Sequence, residues 1–215
     1  MGRDSSLRTI AFAEQYDAVW VAIGVHPNTA DTWTDDDAGW IAELAGHPRV
    51  VAIGECGMDF YRDAAMPEQQ ERAFRAQIGL ARQTGLPLVV HTRDAAEATL
   101  AILREDAVGL DVILHCFSLV DHVDEVIAAG WYASFAGPLT YRPNDALRAA
   151  AARMPASRIL VETDSPYLAP VPRRGRPNQP AYVAHTLARL AEVRGIEIPT
   201  CDELTTANAA RVFGW

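Results

Sequence analysis

Four residues of metal-binding type each follow a short apolar run. Glu55 follows Val50-Val51-Ala52-Ile53-Gly54, His91 follows Leu88-Val89-Val90, and His115 follows Val112-Ile113-Leu114. Asp164 closes Ile159-Leu160-Val161-Glu162-Thr163. Half-buried groups of this kind are costly unless they are paired or hold a cation. Two imidazoles and two carboxylates offer mixed nitrogen and oxygen donors, a set that suits Mg²⁺, Mn²⁺ or Zn²⁺. Ligands at several strand ends point to metal-assisted hydrolysis.

Neighbouring residues extend the pattern. Glu162 lies two residues before Asp164, on the same strand face, and is placed to accept a hydrogen bond that orients a ligand histidine. Arg93, two beyond His91, can aim its guanidinium at an anionic substrate group. His26, in Gly24-Val25-His26-Pro27, ends the first apolar run and is a candidate to touch substrate or steady a ligand. Strand alternation turns Cys56 and Cys116 away from Glu55 and His115, so both read as buried structural thiols, as does Cys201. His47, His122 and His185 fall in or beside helical stretches and are expected to face solvent.

The elements that carry these side chains alternate in type. Strands are expected over Val19–Val25, Val50–Glu55, Pro87–His91, Asp111–His115, Trp131–Phe135 and Arg158–Glu162. Helices are expected over Leu7–Tyr16, Glu68–Thr84 with Gly85 as its stop, Asp94–Glu105 with Asp94 as N-cap, and Asp121–Ala129 ending at Gly130. Three more follow over Asp145–Arg153, Ala181–Arg194 and Asp202–Phe213. Strand–helix alternation implies an α/β fold with a parallel sheet. Polar ligands at several strand tips favour a TIM-type barrel over an open doubly wound sheet.

Composition narrows the classes. A chain of 215 residues with 49% hydrophobic and 22% charged content reads as one globular domain over residues 1–215. Its longest uncharged apolar stretch, Ala18 to Val25, is far short of the roughly 20 residues of a membrane span. The opening residues show no signal-peptide pattern. Three cysteines argue against a disulfide framework and fit a reducing cytoplasm. A net charge of −9 requires any nucleic-acid contact to be local. The one basic cluster, Arg173, Arg174 and Arg176 in a Pro-rich loop, could supply it.

Several segments resemble, in order, the signatures of the TatD family. They are Gly24-Val25-His26-Pro27, Gly54-Glu55-Cys56-Gly57-Met58-Asp59-Phe60-Tyr61, Val90-His91-Thr92-Arg93-Asp94-Ala95, Leu114-His115-Cys116-Phe117-Ser118 and Val161-Glu162-Thr163-Asp164-Ser165-Pro166-Tyr167-Leu168. The tail from Arg174 to Val183 and the closing Asn208–Phe213 continue the likeness. The resemblance implies a (β/α)8 barrel and a metal-dependent deoxyribonuclease with 3′-5′ exonuclease activity, DNA or another nucleotide phosphodiester being its substrate. It further implies two divalent cations bridged by Glu55, with His91 and His115 on the second and Asp164 on the first. Asp164 would also be the general base. Family members open with a strand carrying His-x-His. This sequence has none, so the reading is of a barrel lacking its first two βα units. Two alternatives follow: a catalytically impaired chain, and an amidohydrolase-like enzyme acting on a C–N bond.

Overall fold

The computed structural model describes residues 2–215. Six parallel strands with flanking helices make an α/β fold. The strands are β1 (Val21–Ile23), β2 (Val50–Asp59), β3 (Leu88–Arg93), β4 (Val112–Leu114), β5 (Tyr132–Phe135) and β6 (Ile159–Val161). The helices are α1 (Arg3–Ala13), α2 (Asp35–Ala45), α3 (Pro67–Thr84), α4 (Ala96–Asp106), α5 (Val123–Ala129), α6 (Asp145–Arg153), α7 (Val183–Arg194) and α8 (Ile198–Phe213). The chain divides into two compact units, the first running to Ile113 and the second spanning Leu114–Trp215.

In the first unit β1 pairs parallel with β2, and β2 with β3. Ile23, Ile41, Ile53, Phe74, Ile78 and Leu88 are almost wholly buried there. The central helix α3 starts on Pro67, whose fixed φ suits a first turn, and stops at Gly85 in the left-handed conformation. Its buried residues Gln70, Ala73, Phe74, Gln77, Ile78 and Ala81 recur at helical spacing, forming one stripe against the sheet. In the second unit β5 pairs parallel with β6. Tyr132, Phe135, Leu139, Ile159 and Leu190 are buried around them.

Differences from expectation have local causes. β2 runs on past Glu55 to Asp59. Gly57 pairs with His91 at φ 134°, where a Cβ would strike the His91 carbonyl oxygen, so only glycine keeps the two backbones together. Helix α2 is not among the helices expected from apolar spacing. Its signals are at its start, where the Thr34 N–H donates to Asp37 Oδ2 at 2.7 Å and three aspartates face the positive end of the helix. Asp94 is not the N-cap of α4. It sits at φ 53°, turning the chain as it leaves β3, and Ala95 occupies the cap without a side-chain bond. Helix α1 lies earlier than expected, and α8 starts at Ile198 with Pro199 in its first turn. Among the described residues, no helix is long and apolar enough to cross a membrane.

Candidate metal centre

Glu55 gains its place from an irregularity in the ladder. Gly54 pairs with Val89 and Cys56 with Val90, so Glu55 is the extra residue of a β-bulge, the device that re-aims a side chain. Its Oε1 stands 2.9 Å from His91 Nδ1 and 3.7 Å from His26 Nε2. The rings of His26 and His91 are 4.7 Å apart. One ligand atom from each of His26, Glu55 and His91 lies within 4.8 Å of the others, and all three residues are half-buried. On the far side of its ring, His91 Nε2 stands 3.0 Å from Asp59 Oδ2.

That imidazole therefore faces a carboxylate at each nitrogen. A neutral imidazole donates through one nitrogen only. In the tautomer that gives the Nε2 proton to Asp59, the Nδ1 lone pair points at Glu55, and these two groups would then serve together as ligands of a divalent cation. The carboxylate–histidine–metal arrangement takes this form. Two nitrogens and one carboxylate fit a divalent ion of the mixed-donor class.

Burial, opposed by Glu55 and assisted by His91, draws the His26 imidazole down from 6.5 to about 4. It is thus neutral, as a ligand must be, at physiological pH. Burial would raise the Asp59 carboxyl, but its bonds from His91 and from the backbone of Arg62 and Tyr61 prevail and hold it below the usual range. Cys56 is fully buried, its thiol raised well above the usual range by burial and by Glu55, and it is inert there.

The second unit holds a similar group. His115 follows β4, and its Nδ1 stands 2.8 Å from Glu162 Oε1 while Nε2 stands 3.6 Å from Asp164 Oδ1. Glu162 Oε1 also accepts the Cys116 N–H at 3.2 Å. Cys116 and Asp164 both adopt positive φ, 45° and 56°, a conformation that costs a non-glycine residue energy and concentrates at functional sites. Cys116 is only half-buried, so the expectation of a buried thiol holds for Cys56 and Cys201 and fails for Cys116. His47, His122 and His185 are likewise half-buried rather than solvent-facing.

Amides that spacing did not single out hold these groups in place. Gln77 on α3, fully buried, accepts the Val25 N–H at 2.8 Å and donates to the Val25 carbonyl at 3.0 Å, fixing the residue before His26. Two turns earlier, Gln70 does the same for Asp59, at 2.7 and 2.9 Å. Asn178 Nδ2 donates to the carbonyls of Thr163 and Tyr167, both at 2.7 Å, bracketing Asp164. Asp59 was within reach of the sequence, four residues beyond Glu55 and of the same strand parity.

The TatD related DNase family profile matches residues 2–214. The chain belongs to the TatD family. It is 38% identical to the metal-dependent hydrolase YabD of Bacillus subtilis, over 98% of this chain and 84% of that protein. It is 41% identical to the 3′-5′ ssDNA/RNA exonuclease TatD of Cronobacter sakazakii, over 98% of this chain and 82% of its relative. Among solved structures, the TatD homologue YjjV of Escherichia coli superposes with a TM-score of 0.92 at 25% identity, covering 99% of this chain and 83% of YjjV. The chain is thus a TatD-type metal-dependent hydrolase acting on ester bonds, and His26, Glu55 and His91 form a group able to hold its metal.

Proposed function

We propose that this TatD protein removes nucleotides from the 3′ end of single-stranded nucleic acid, acting in the cytoplasm. Glu55, His91, His115 and Asp164 are the ligands we assign to its divalent cations, with His26 a further donor beside Glu55. When bound, such a cation polarises a phosphoryl oxygen and brings the pKa of water toward about 7. Asp164 would take the proton of the attacking water as the new P–O bond forms in line. The old P–O bond breaks, the 3′ oxygen of the shortened strand takes a proton from solvent, and the terminal nucleotide departs with its 5′-phosphate. Asp59 and Glu162 hold the rings of His91 and His115, and Arg93 meets a substrate phosphate. The loop with Arg173, Arg174 and Arg176 adds positive charge that the acidic chain otherwise lacks.

One observation carries this reading: ligand atoms of two histidines and a bulge-presented carboxylate gather within 4.8 Å. The test is cleavage of a 5′-labelled single-stranded oligonucleotide, with chelator, then with Mg²⁺, Mn²⁺ or Zn²⁺ restored. A ladder shortening from the 3′ end, lost with chelator and in Asp164→Asn while that variant melts as the wild type does, is expected. Hydrolysis of a cyclic amide with the oligonucleotide left intact would replace it with the C–N reading.

A further inference from the structure

Beyond Asp59 the chain presents two aromatic side chains to solvent, Phe60 at 41% and Tyr61 at 59% exposure. Exposed aromatic residues adjacent in sequence offer flat apolar surface on which a base can stack. The turn that bears them is held firmly. Asp59, itself 1% exposed, accepts the N–H groups of Tyr61 and Arg62 on Oδ1 at 3.0 and 3.2 Å, while its Oδ2 faces His91. One buried carboxylate thus anchors the aromatic tip and steadies the imidazole of the metal group.

Arg93 comes to the same tip from β3. The Phe60 N–H donates to its carbonyl at 2.9 Å, and its guanidinium carbon lies 3.5 Å from the centre of the Tyr61 ring. The guanidinium has no ion pair or hydrogen bond among the described residues. A guanidinium lying over a ring keeps its N–H groups at its edge, where a phosphate can be gripped by two of them.

We infer that Tyr61 and Arg93 form a subsite for one unpaired nucleotide, with the base stacked on the aromatic tip and its phosphate on the Arg93 guanidinium. This rests on the proposed nucleic-acid reading and names the feature recognised. A base must be out of a duplex to lie on such a ring, so the subsite selects single strands, and stacking accepts any base. Arg93 sits two positions after His91 of the metal group and Tyr61 two after Asp59, the partner of His91, so the nucleotide would be held close to the bond to be cut.

Equilibrium binding of a fluorescent single-stranded oligonucleotide to the metal-free full chain tests the subsite without needing cleavage. Tyr61→Ala should weaken binding roughly tenfold, the order that one lost stack gives, and Tyr61→Phe should bind as the wild type does. An oligonucleotide abasic at its 3′-terminal positions should bind wild type and Tyr61→Ala alike, because the partner of the ring is gone. Equal affinity of wild type and Tyr61→Ala for the base-bearing strand overturns the subsite, as does a wild type that binds neither strand. Binding that follows this pattern without any metal-dependent cleavage would keep the subsite and remove the exonuclease reading.

Discussion

At the scale of single residues, the function depends on how carboxylates divide their work. Asp59 carries a negative charge almost wholly shielded from solvent, and its Oδ2 faces the His91 ring at 3.0 Å and accepts from Asn28 Nδ2 at 3.3 Å. Asp59→Asn keeps the shape and an acceptor for the Tyr61 and Arg62 N–H groups but loses the charge that favours the ligating tautomer. Calorimetric titration with Zn²⁺ or Mn²⁺ should show affinity about 10- to 100-fold weaker, the usual cost of such an outer partner. Affinity within twofold of wild type would strip Asp59 of that role. His26 gives a second expectation. It takes up a proton near 6.5 when unfolded and near 4 in the folded chain, so between those values the unfolded state binds more protons. Stability of the metal-free protein therefore falls as pH drops through that window and is unaffected by this group above about 6.5. At about 1.4 kcal/mol per pKa unit, the loss approaches 3 kcal/mol near pH 4. Urea denaturation at pH 7 and pH 4.5 should show a larger drop for wild type than for His26→Gln, and equal drops would contradict the shift. Glu55 and His91 of the metal group could be read from the sequence because each interrupts an apolar run, whereas His26 reads there only as a residue touching substrate or steadying a ligand. Asp59 does not stand out in the sequence, because the apolar run before it already closes at Glu55 and its partner His91 lies on the next strand, 32 residues away.

At the scale of elements, the chemistry rests on α3. Its buried face carries Gln70 and Gln77 amid alanine, phenylalanine and isoleucine, and each amide satisfies both polar groups of one peptide segment. Gln77→Leu would leave the Val25 N–H and carbonyl buried without that partner. The expected cost is about 2–6 kcal/mol, summing penalties of roughly 1–3 kcal/mol for each of the two stranded groups. Urea unfolding should show a lower midpoint at unchanged slope, accompanied by weaker metal binding because His26 follows Val25 directly. A midpoint shift below about 0.5 kcal/mol would mean that water serves these groups as well as Gln77 does. Strand positions were readable from apolar runs, and α3 and α6 from helical spacing and stop signals. The length of β2 was not, because the continuation depends on how closely Gly57 lets β3 approach. The role of Gln70 and Gln77 was equally hidden: a glutamine inside a helix looks like a solvent-facing residue until its tertiary partners are known.

At the scale of the whole molecule, charge sets how a polyanion can be held. The chain carries a net −9, and the cations that the proposed binding draws on are Arg93 in the first unit and the Arg173, Arg174 and Arg176 loop in the second. Two of those loop cations already lie over aromatic rings, Arg174 at 4.2 Å from Tyr141 and Arg173 at 5.3 Å from Tyr182. Binding that depends on stacking and a few phosphate contacts, rather than on a basic face, releases few counterions. Each phosphate neutralised on a single strand contributes about −0.7 to the slope of log affinity against log salt. With roughly two to four contacts the slope should fall between about −1 and −3. A series from low to physiological salt, at fixed divalent-ion concentration and with a cleavage-resistant oligonucleotide, measures it. A slope steeper than about −5 would demand more phosphate contacts than Arg93 and the Arg173–Arg176 loop can supply, and the proposed mode of binding would have to be replaced. A shallow slope together with loss of affinity in Tyr61→Ala would place the recognition in the stack. Such a protein would tolerate salt well and still discriminate sharply between paired and unpaired ends.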